Sequence, residues 1–399
     1  MQRRDLLKGS ALSALATGLI APAIAAAEEG HTSSEVESRA AEALAELQKT
    51  LDDLEAAFTT PAWNLQTPQD FAEARRLTLH TLLHGLQCWL EGDPARPFFV
   101  PFVTPHKKLL GDNPDAHYYS AVIDDQHSYR IRGNLSGATY TSFTAELGTG
   151  AEGGGIGSTL NDTQFSADNQ GNYEIILSPR KATGNWMPLP KGTKSLTTRH
   201  YFENKLSIQK DPLHPVPISI ENLLTVPPAA PPDDLNVAAG IRRVTQFVRG
   251  NIFPLNAGTS PSWVSRIPNQ FPQPVQDDSL TDIGYAAKDN VYSMAPFVLG
   301  PDQALLIRGK WPKCRFANVV LFNRFLQSFN YLDRTVSLNR TQTKQDADGG
   351  FEMVLAHRDP GHPNWLETEG RPFGIVFWRF QLPEEDIEPL QTQVVTVPS

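Results

Sequence analysis

The chain has 399 residues, of which 40% are hydrophobic, so it is long enough to bury two domain cores or one large β unit. Its formal net charge of −9 excludes a non-specific nucleic-acid binder, whose surface would be basic. The 32 prolines favour strands, turns and loops over long helices in most of the chain.

The first 27 residues have the pattern of a twin-arginine signal peptide. Arg3 and Arg4 precede a short apolar run at 11–20, and an A-x-A cleavage site ends at Ala27. The run is too short to cross a bilayer, and no later segment has the pattern of a membrane span. We therefore expect the twin-arginine export machinery as a partner, cleavage near Ala27, and a mature protein that is periplasmic or secreted and not integral to a membrane.

A helical segment is predicted over residues 28–95. Its first helix spans 34–58, where apolar residues recur at helical spacing and Ser34 forms a capping box with Glu37. A second helix begins at Thr67, which is followed by a proline at the first helical position. The two helices predict an N-terminal helical hairpin.

From residue 96 the pattern changes to short β-type segments separated by turn residues. We expect a first β lobe over 96–225, a proline-rich linker with a short helix over 226–290, a second β lobe over 291–385 and a tail over 386–399.

Neither the cysteines nor the glycine-rich stretch requires a cofactor. The stretch at 148–157 lacks the lysine and the following helix of a phosphate-binding loop. We expect Cys88 and Cys314 to be free thiols, because isolated cysteines are most often buried as small hydrophobes. Pairing of the two is the alternative in an oxidising compartment.

The two β regions repeat each other. Residues 168–202 and 346–380 each run from a hairpin turn through a strand to an Asn-Trp pair and then to a second strand. The matched positions include Asp168 with Asp346, Gly171 with Gly349, Asn185-Trp186 with Asn364-Trp365, and Arg199 with Arg379. This repeat predicts a mainly β fold of two tandem jelly-roll or β-sandwich lobes, with the helical hairpin before them.

The second repeat carries a cluster that the first repeat lacks. His357 and Asp359 form a candidate acid–base pair, and His357 with His362 is a candidate metal site. The structural alternative is that Asp359, which precedes Pro-Gly, only forms a turn.

A second candidate site lies near the start of the first lobe. Asp115 and His117 alternate along an extended segment and form another candidate catalytic pair, and Arg130 and Arg132 on the next strand are candidate ligand-binding residues of the same polar pocket. The alternative is a loop held by Asp–Arg ion pairs.

Loop tryptophans are the remaining ligand-binding candidates. Trp186, Trp311 and Trp365, with Asn364, are suited to binding a glycan or another small polar or amphipathic ligand. In the structural alternative, the indole closes the end of a sandwich and the Asn holds loop backbone in place.

At several of these motifs the chain resembles secreted bacterial proteins of domain-of-unknown-function family 1214, often joined to family 1254. The matching residues include Gly111–Asp115, Tyr129–Gly133, Ser337–Asn339 and Asp359–Leu366. The resemblance implies a double jelly-roll fold and export, and it implies no established activity.

Three functions remain open at this point. The first is an exported protein that binds a glycan or a small amphipathic ligand between or at the ends of the lobes. The second is an exported hydrolase or lyase that acts on a glycan or lipid-like substrate by acid–base chemistry. The third is a structural or assembly protein.

Overall fold

The computed structural model describes four parts of the chain, residues 38–148, 154–256, 261–277 and 284–397. The predicted signal peptide and the capping box of Ser34 and Glu37 lie outside the described residues. Within the described parts, strands outnumber helices, as a mainly β fold requires.

Three α-helices are described: α1 (Arg39–Phe58), α2 (Pro68–Gly85) and α3 (Asp234–Ile252). Thr67 caps α2 as predicted: its hydroxyl accepts from the backbone N–H of Asp70, and the Asp70 carboxylate accepts from the N–H of Thr67. A π-helical turn, Leu86–Leu90, continues α2. The helical hairpin that the sequence predicts is therefore present.

The helix within the predicted linker is longer than expected and belongs to the helical layer. Arg242 on α3 forms an ion pair with Glu46 on α1 at 2.9 Å. Gly240 lies so close to the turn after α2 that a Cβ would lie 2.5 Å from the carbonyl oxygen of Leu90. Residues 234–252 are thus packed against the hairpin, because their apolar face needs a partner, and they do not act as a spacer.

The first lobe contains nine strands: β1 (Val100–Pro101), β2 (Ala116–Val122), β3 (Tyr129–Asn134), β4 (Tyr140–Leu147), β5 (Ile156–Asn161), β6 (Asn172–Ser178), β7 (Trp186–Pro188), β8 (Thr193–Tyr201) and β9 (Ile218–Asn222). The second contains eight: β10 (Asn290–Val298), β11 (Gln303–Lys310), β12 (Phe316–Phe322), β13 (Ser337–Asn339), β14 (Gly350–Ala356), β15 (Trp365–Glu367), β16 (Phe373–Gln381) and β17 (Gln391–Thr396).

Each lobe is a sandwich of two sheets with the same strand order. The first lobe has sheets β1-β2-β8-β4-β5 and β7-β6-β3-β9, and the second has β10-β16-β12-β13 and β15-β14-β11-β17. In chain order, β2 to β9 correspond one by one to β10 to β17, including a parallel pair in each lobe, β6–β7 and β14–β15. The internal repeat and the two β-sandwich lobes are confirmed. Jelly rolls are antiparallel, so sandwich is the name that this strand order supports.

The repeated Asp and Gly residues form the same turn in both lobes, as predicted. Gly171 and Gly349 have φ angles of 81° and 85°, in the left-handed region that favours glycine. Their N–H groups donate to the carbonyl oxygens of Asp168 and Asp346 at 2.9 and 3.0 Å. Each turn leads directly into the next strand of its repeat, β6 or β14.

Residues 386–399, predicted as a tail, contribute a strand. β17 pairs antiparallel with the edge of β11, with Leu305 opposite Val394. Its side chains are mostly exposed, so the segment lacks the apolar alternation that marks a half-buried strand in a sequence.

The core of each sandwich lies between its two sheets, and further apolar clusters join the lobes to each other and to the helices. Cys88 and Cys314 are buried free thiols, as predicted. Among the described residues, no helix is both long enough and apolar enough to cross a membrane.

Gly240→Ala tests the packing of α3. Alanine normally favours a helix by about 1 kcal/mol relative to glycine, but here its Cβ would collide with the Leu90 carbonyl. We expect the variant to lose about 1–3 kcal/mol of unfolding free energy, measured by urea denaturation. The control is Gln246→Ala, an exposed position on the same helix. A G240A protein as stable as the parent would contradict this packing.

Candidate ligand-binding site

A cavity of about 380 Å³ lies where the two lobes meet the end of α3, and we call it the interlobe cavity. One sheet of each lobe supplies its walls, β1-β2-β8-β4-β5 and β10-β16-β12-β13. Most of its lining is aromatic or aliphatic and includes Phe102, Leu109, Tyr118, Tyr201, Leu255, Trp263, Tyr285, Tyr292, Met294, Leu326 and Phe377. Size and lining are those of a small-molecule site.

A second hollow, of about 810 Å³, lies beside Glu384, Glu385 and Asp386. These carboxylates are exposed, and Glu384 and Glu385 already have Lys313 as a partner, so their charges need no ligand. The interlobe cavity, which contains buried charge, is therefore the better candidate site.

The alternation of strand residues places charge in the interlobe cavity. Along β16, Trp378 and Phe380 belong to the core of the second sandwich, whereas Phe377 and Arg379 line the cavity. On β8, Arg199 lines the cavity in the same way. Both strands are buried on both faces, and one face of each is shared between the lobes.

Arg199 and Arg379 occupy equivalent positions, and each lies opposite a tyrosine. Arg199 pairs in register with Tyr118 on β2, and Arg379 with Tyr292 on β10. Burial raises the pKa of both tyrosines, so their hydroxyls stay protonated. The repeat thus supplies one cation and one hydroxyl from each lobe.

Arg199 has three hydrogen bonds and one ion pair within the fold. It donates to the hydroxyl of Thr144 at 2.8 Å and to the carbonyl oxygens of Tyr285 and Ala286 at 2.9 and 3.1 Å. The carboxylate of Glu146 lies 3.8 Å away, and both charged side chains are almost fully buried. Burial raises the pKa of Glu146, and the attraction of Arg199 counteracts that rise.

Arg379 is equally buried but less well satisfied. Its side chain is 4% exposed, and Nη2 donates to the carbonyl oxygen of Gly111 at 2.5 Å. The guanidinium lies over the rings of Phe377 and Phe322, at 4.2 and 5.4 Å from their centroids. Nη1 has no hydrogen-bond partner in the described parts of the chain, and no ion pair of Arg379 occurs there.

The difference between the two arginines comes from one position on the neighbouring strand. Glu146 on β4 lies opposite the residue four positions before Arg199, and Phe322 on β12 lies opposite the residue four positions before Arg379. The second lobe therefore has an aromatic ring where the first has a carboxylate.

The loop before β2 joins the lobes beside the cavity. Asp112 accepts from the backbone N–H and the hydroxyl of Ser328 at 2.9 and 2.5 Å. Asp115 accepts from the side-chain amides of Asn318 and Asn339 at 2.9 and 3.2 Å. Both carboxylates are buried, and burial raises the pKa of Asp115 to about 6. Motif residues that look catalytic in sequence thus hold the two lobes together.

The predicted pocket of Asp115, His117, Arg130 and Arg132 does not form. The two arginines lie on the other sheet of the first lobe, where they pair with exposed glutamates. The imidazole Nδ1 of His117 lies 3.2 Å from the amide of Gln209, and burial lowers its pKa. The structural alternative of Asp–Arg pairs is also wrong for Asp115, whose partners are amides.

The histidine cluster of the second lobe has structural contacts. The two ring nitrogens of His357 lie 2.5 Å from the hydroxyl of Thr368 and 3.1 Å from the carbonyl oxygen of Gly300. Asp359 is exposed and accepts from the N–H two residues on, as in a turn. His362 likewise accepts from the N–H two residues on. Within the described ranges, no group of three or more His, Cys, Asp or Glu residues could hold a metal ion, so nothing supports a metal at His357 and His362.

The Asn and Trp candidates are scaffold. Asn364 is buried, and its amide bonds to loop and strand backbone at 2.7–2.8 Å, as Asn185 does at 2.8–2.9 Å. The indoles of Trp186 and Trp365 donate to carbonyl oxygens at the ends of β6 and β14. Trp311 lies in the core of the second sandwich. These side chains are therefore engaged within the fold, and the structural alternative holds for them.

Sequence reasoning missed the two arginines as site residues. Arg199 and Arg379 occupy matching positions in the two repeats, and such a match by itself indicates a structural role shared by both lobes. One signal was present: Arg379 is the single charge in an otherwise apolar strand, 373–381. A charge in a strand buried on both faces needs a partner or a function.

Residues 309–385 match a family model described as "Protein of unknown function (DUF1214)". A solved structure of a putative uncharacterized protein from Burkholderia cenocepacia is 27% identical, with a TM-score of 0.78 over 89% of this chain and 96% of that chain. The VPA0106 protein from Vibrio parahaemolyticus is 11% identical, with a TM-score of 0.47 over 81% of this chain and 98% of that chain. No curated protein matches. The match supports the resemblance to family 1214 for the second lobe, and the link to family 1254 stays a prediction.

Asp115→Asn tests the burial of charge at the lobe junction. Because folding raises the pKa of Asp115 from 3.8 to about 6, its protonated form favours the folded state. The stability of the parent relative to the variant should be largest below about pH 4 and should fall by about 3 kcal/mol as pH rises through 6. Urea denaturation of both proteins between pH 4 and 7.5 measures this difference. A difference that does not change with pH would contradict the shift.

Proposed function

We propose that the protein binds a small amphipathic ligand in the interlobe cavity. The observation that carries the proposal is a cavity of about 380 Å³ with mostly aromatic and aliphatic walls and a buried cation at its edge. Such walls bind by removing apolar surface from water, at roughly 25 cal/mol per Å². Small-molecule sites are usually lined by many apolar groups and a few polar ones.

The lining favours an amphipathic ligand over a glycan. Sugars need many hydrogen-bond partners, and the side chains that the sequence offered for this purpose, Trp186, Trp311, Trp365 and Asn364, are engaged in the fold. The hydrolase or lyase hypothesis has no comparable support. The ring of His357 is hydrogen-bonded to the hydroxyl of Thr368, and Asp359 accepts from the backbone N–H of Gly361 in its own loop.

Ala287→Phe tests the location of the site. Ala287 is buried and lines the interlobe cavity, so a phenyl group there should fill the space that the ligand needs. We expect the parent to bind the neutral apolar dye Nile red with increased fluorescence, and the variant to bind it at least about tenfold more weakly. The control is Ala45→Phe on the exposed face of α1.

Equal dye binding by the parent and the A287F variant, with both proteins folded by thermal melting, would place the dye elsewhere and contradict the proposal. Loss of dye binding in the A45F control as well would show that the effect is not specific to the cavity.

We also propose that this binding takes place outside the cytoplasm, after twin-arginine export. The proposal rests on the Arg3-Arg4 pair, the short apolar run and the cleavage pattern at Ala27. Export of an already folded chain suits a two-lobe protein whose cavity forms only when both lobes are complete.

Changing Arg3 and Arg4 to lysine tests the export route. The substitution keeps the positive charge but removes the guanidinium pair that defines the signal. We expect the full-length variant to remain uncleaved in the cytoplasmic fraction, whereas the parent appears in the periplasmic fraction about 27 residues shorter. Blotting of cell fractions measures both. If the variant reached the periplasmic fraction in the same amount as the parent, this export route would be excluded.

A further inference from the structure

We infer that the ligand of the interlobe cavity carries a carboxylate, and that Arg379, not Arg199, holds it. This inference rests on the proposed function and adds the chemical class of the ligand to it. The class is a monocarboxylate with an aliphatic or aromatic body, small enough for a cavity of about 380 Å³.

The first support is the state of the Arg379 side chain. It is 96% removed from solvent and lines the cavity, with Nη1 unpartnered among the residues that the structure describes. Burial of a cation without a counter-ion costs several kcal/mol. A single hydrogen bond to Gly111 and contact with two aromatic rings offset only part of that cost.

The second support is the comparison with the repeated position in the first lobe. There Glu146 supplies the counter-ion of Arg199, and the equivalent residue of the second lobe is Phe322. Among the described residues, the fold therefore contains an equivalent buried arginine twice, once with a carboxylate within ion-pair distance and once without. A carboxylate from the ligand would form with Arg379 the ion pair that Glu146 forms with Arg199.

The other charges around the cavity do not replace that carboxylate. Asp112 also lines the cavity, but both of its oxygens are bonded to Ser328. The charge of Asp112 interacts more strongly with Lys108 than with Arg379. Arg199 forms an ion pair with Glu146, whereas Arg379 has no ion pair among the residues that the structure describes.

The surroundings of Arg379 also define the rest of the ligand. Tyr292 lies directly opposite it in register, with a hydroxyl that stays protonated. Beyond this polar end the lining is apolar, which favours a hydrocarbon body and disfavours a second charge. Guanidinium groups bind carboxylates through planar paired donors, and the Arg379 guanidinium belongs to a residue that lines the cavity.

Titration calorimetry of the signal-free protein with four ligands tests the inference: octanoate, 4-phenylbutyrate, 1-octanol and octylammonium. We expect a carboxylate to bind roughly 10- to 100-fold more tightly than 1-octanol, because a charge-assisted hydrogen bond contributes an affinity difference of that size. Octylammonium, which carries a positive charge, should not bind. The two acids distinguish an aliphatic from an aromatic body.

Arg379→Met should lower carboxylate affinity to that of 1-octanol and leave 1-octanol binding unchanged. The control is Arg249→Met, because Arg249 also lies over an aromatic ring but outside the cavity lining, and its ion pair with Asp53 is exposed. Its carboxylate binding should equal that of the parent. Arg379→Lys, which keeps the charge but loses the planar donors, should be intermediate.

The outcomes separate the two proposals. If octanol and carboxylates bind equally in the parent, or if the carboxylate preference persists in R379M, the inference fails while the proposed binding function stands. If neither these amphiphiles nor Nile red binds the parent, the proposed function itself fails. Should R379M not fold, Arg379→Gln, which keeps amide donors but removes the positive charge, decides: a carboxylate preference equal to that of the parent overturns the inference.

Discussion

The rest of the structure depends on the contact between the two sandwiches, in which the sheet that contains β8 packs against the sheet that contains β16. β8 and β16 are buried on both faces, because one face belongs to the core of its own lobe and the other faces the partner lobe. Any polar side chain on that shared face must find a partner inside the protein. The loop carrying Asp112 and Asp115 meets this requirement with Ser328, Asn318 and Asn339, and so fixes how the lobes meet.

The duplication gives the two lobes the same strand order, and the difference between them lies in few side chains. At the shared face both copies keep an arginine opposite a tyrosine, but only the first keeps the carboxylate on the adjacent strand. A buried charge without its partner destabilises the folded protein, and a ligand of opposite charge can remove that cost. This asymmetry, set in an apolar cavity, is what links the architecture to the proposed binding of a carboxylate.

Local chemistry explains which features the sequence predicted. The cap of α2 at Thr67 involves residues three positions apart, and the backbone contacts of Asn185 and Asn364 stay within one repeat, at separations of up to 20 positions. The candidate site depends on distant contacts instead: Arg379 meets Gly111 across 268 positions. No periodicity encodes such a contact. For the same reason His357 and Asp359 looked chemically promising, although the fold uses them in a loop.

An experimental structure of the signal-free protein with octanoate tests the central claim most directly. The account predicts a carboxylate within hydrogen-bond distance of the Arg379 guanidinium, its hydrocarbon chain in the interlobe cavity, and the Arg199–Glu146 pair intact. A carboxylate bound at Arg199 in place of Glu146, or a ligand outside the cavity with Nη1 of Arg379 still unpartnered, would contradict it.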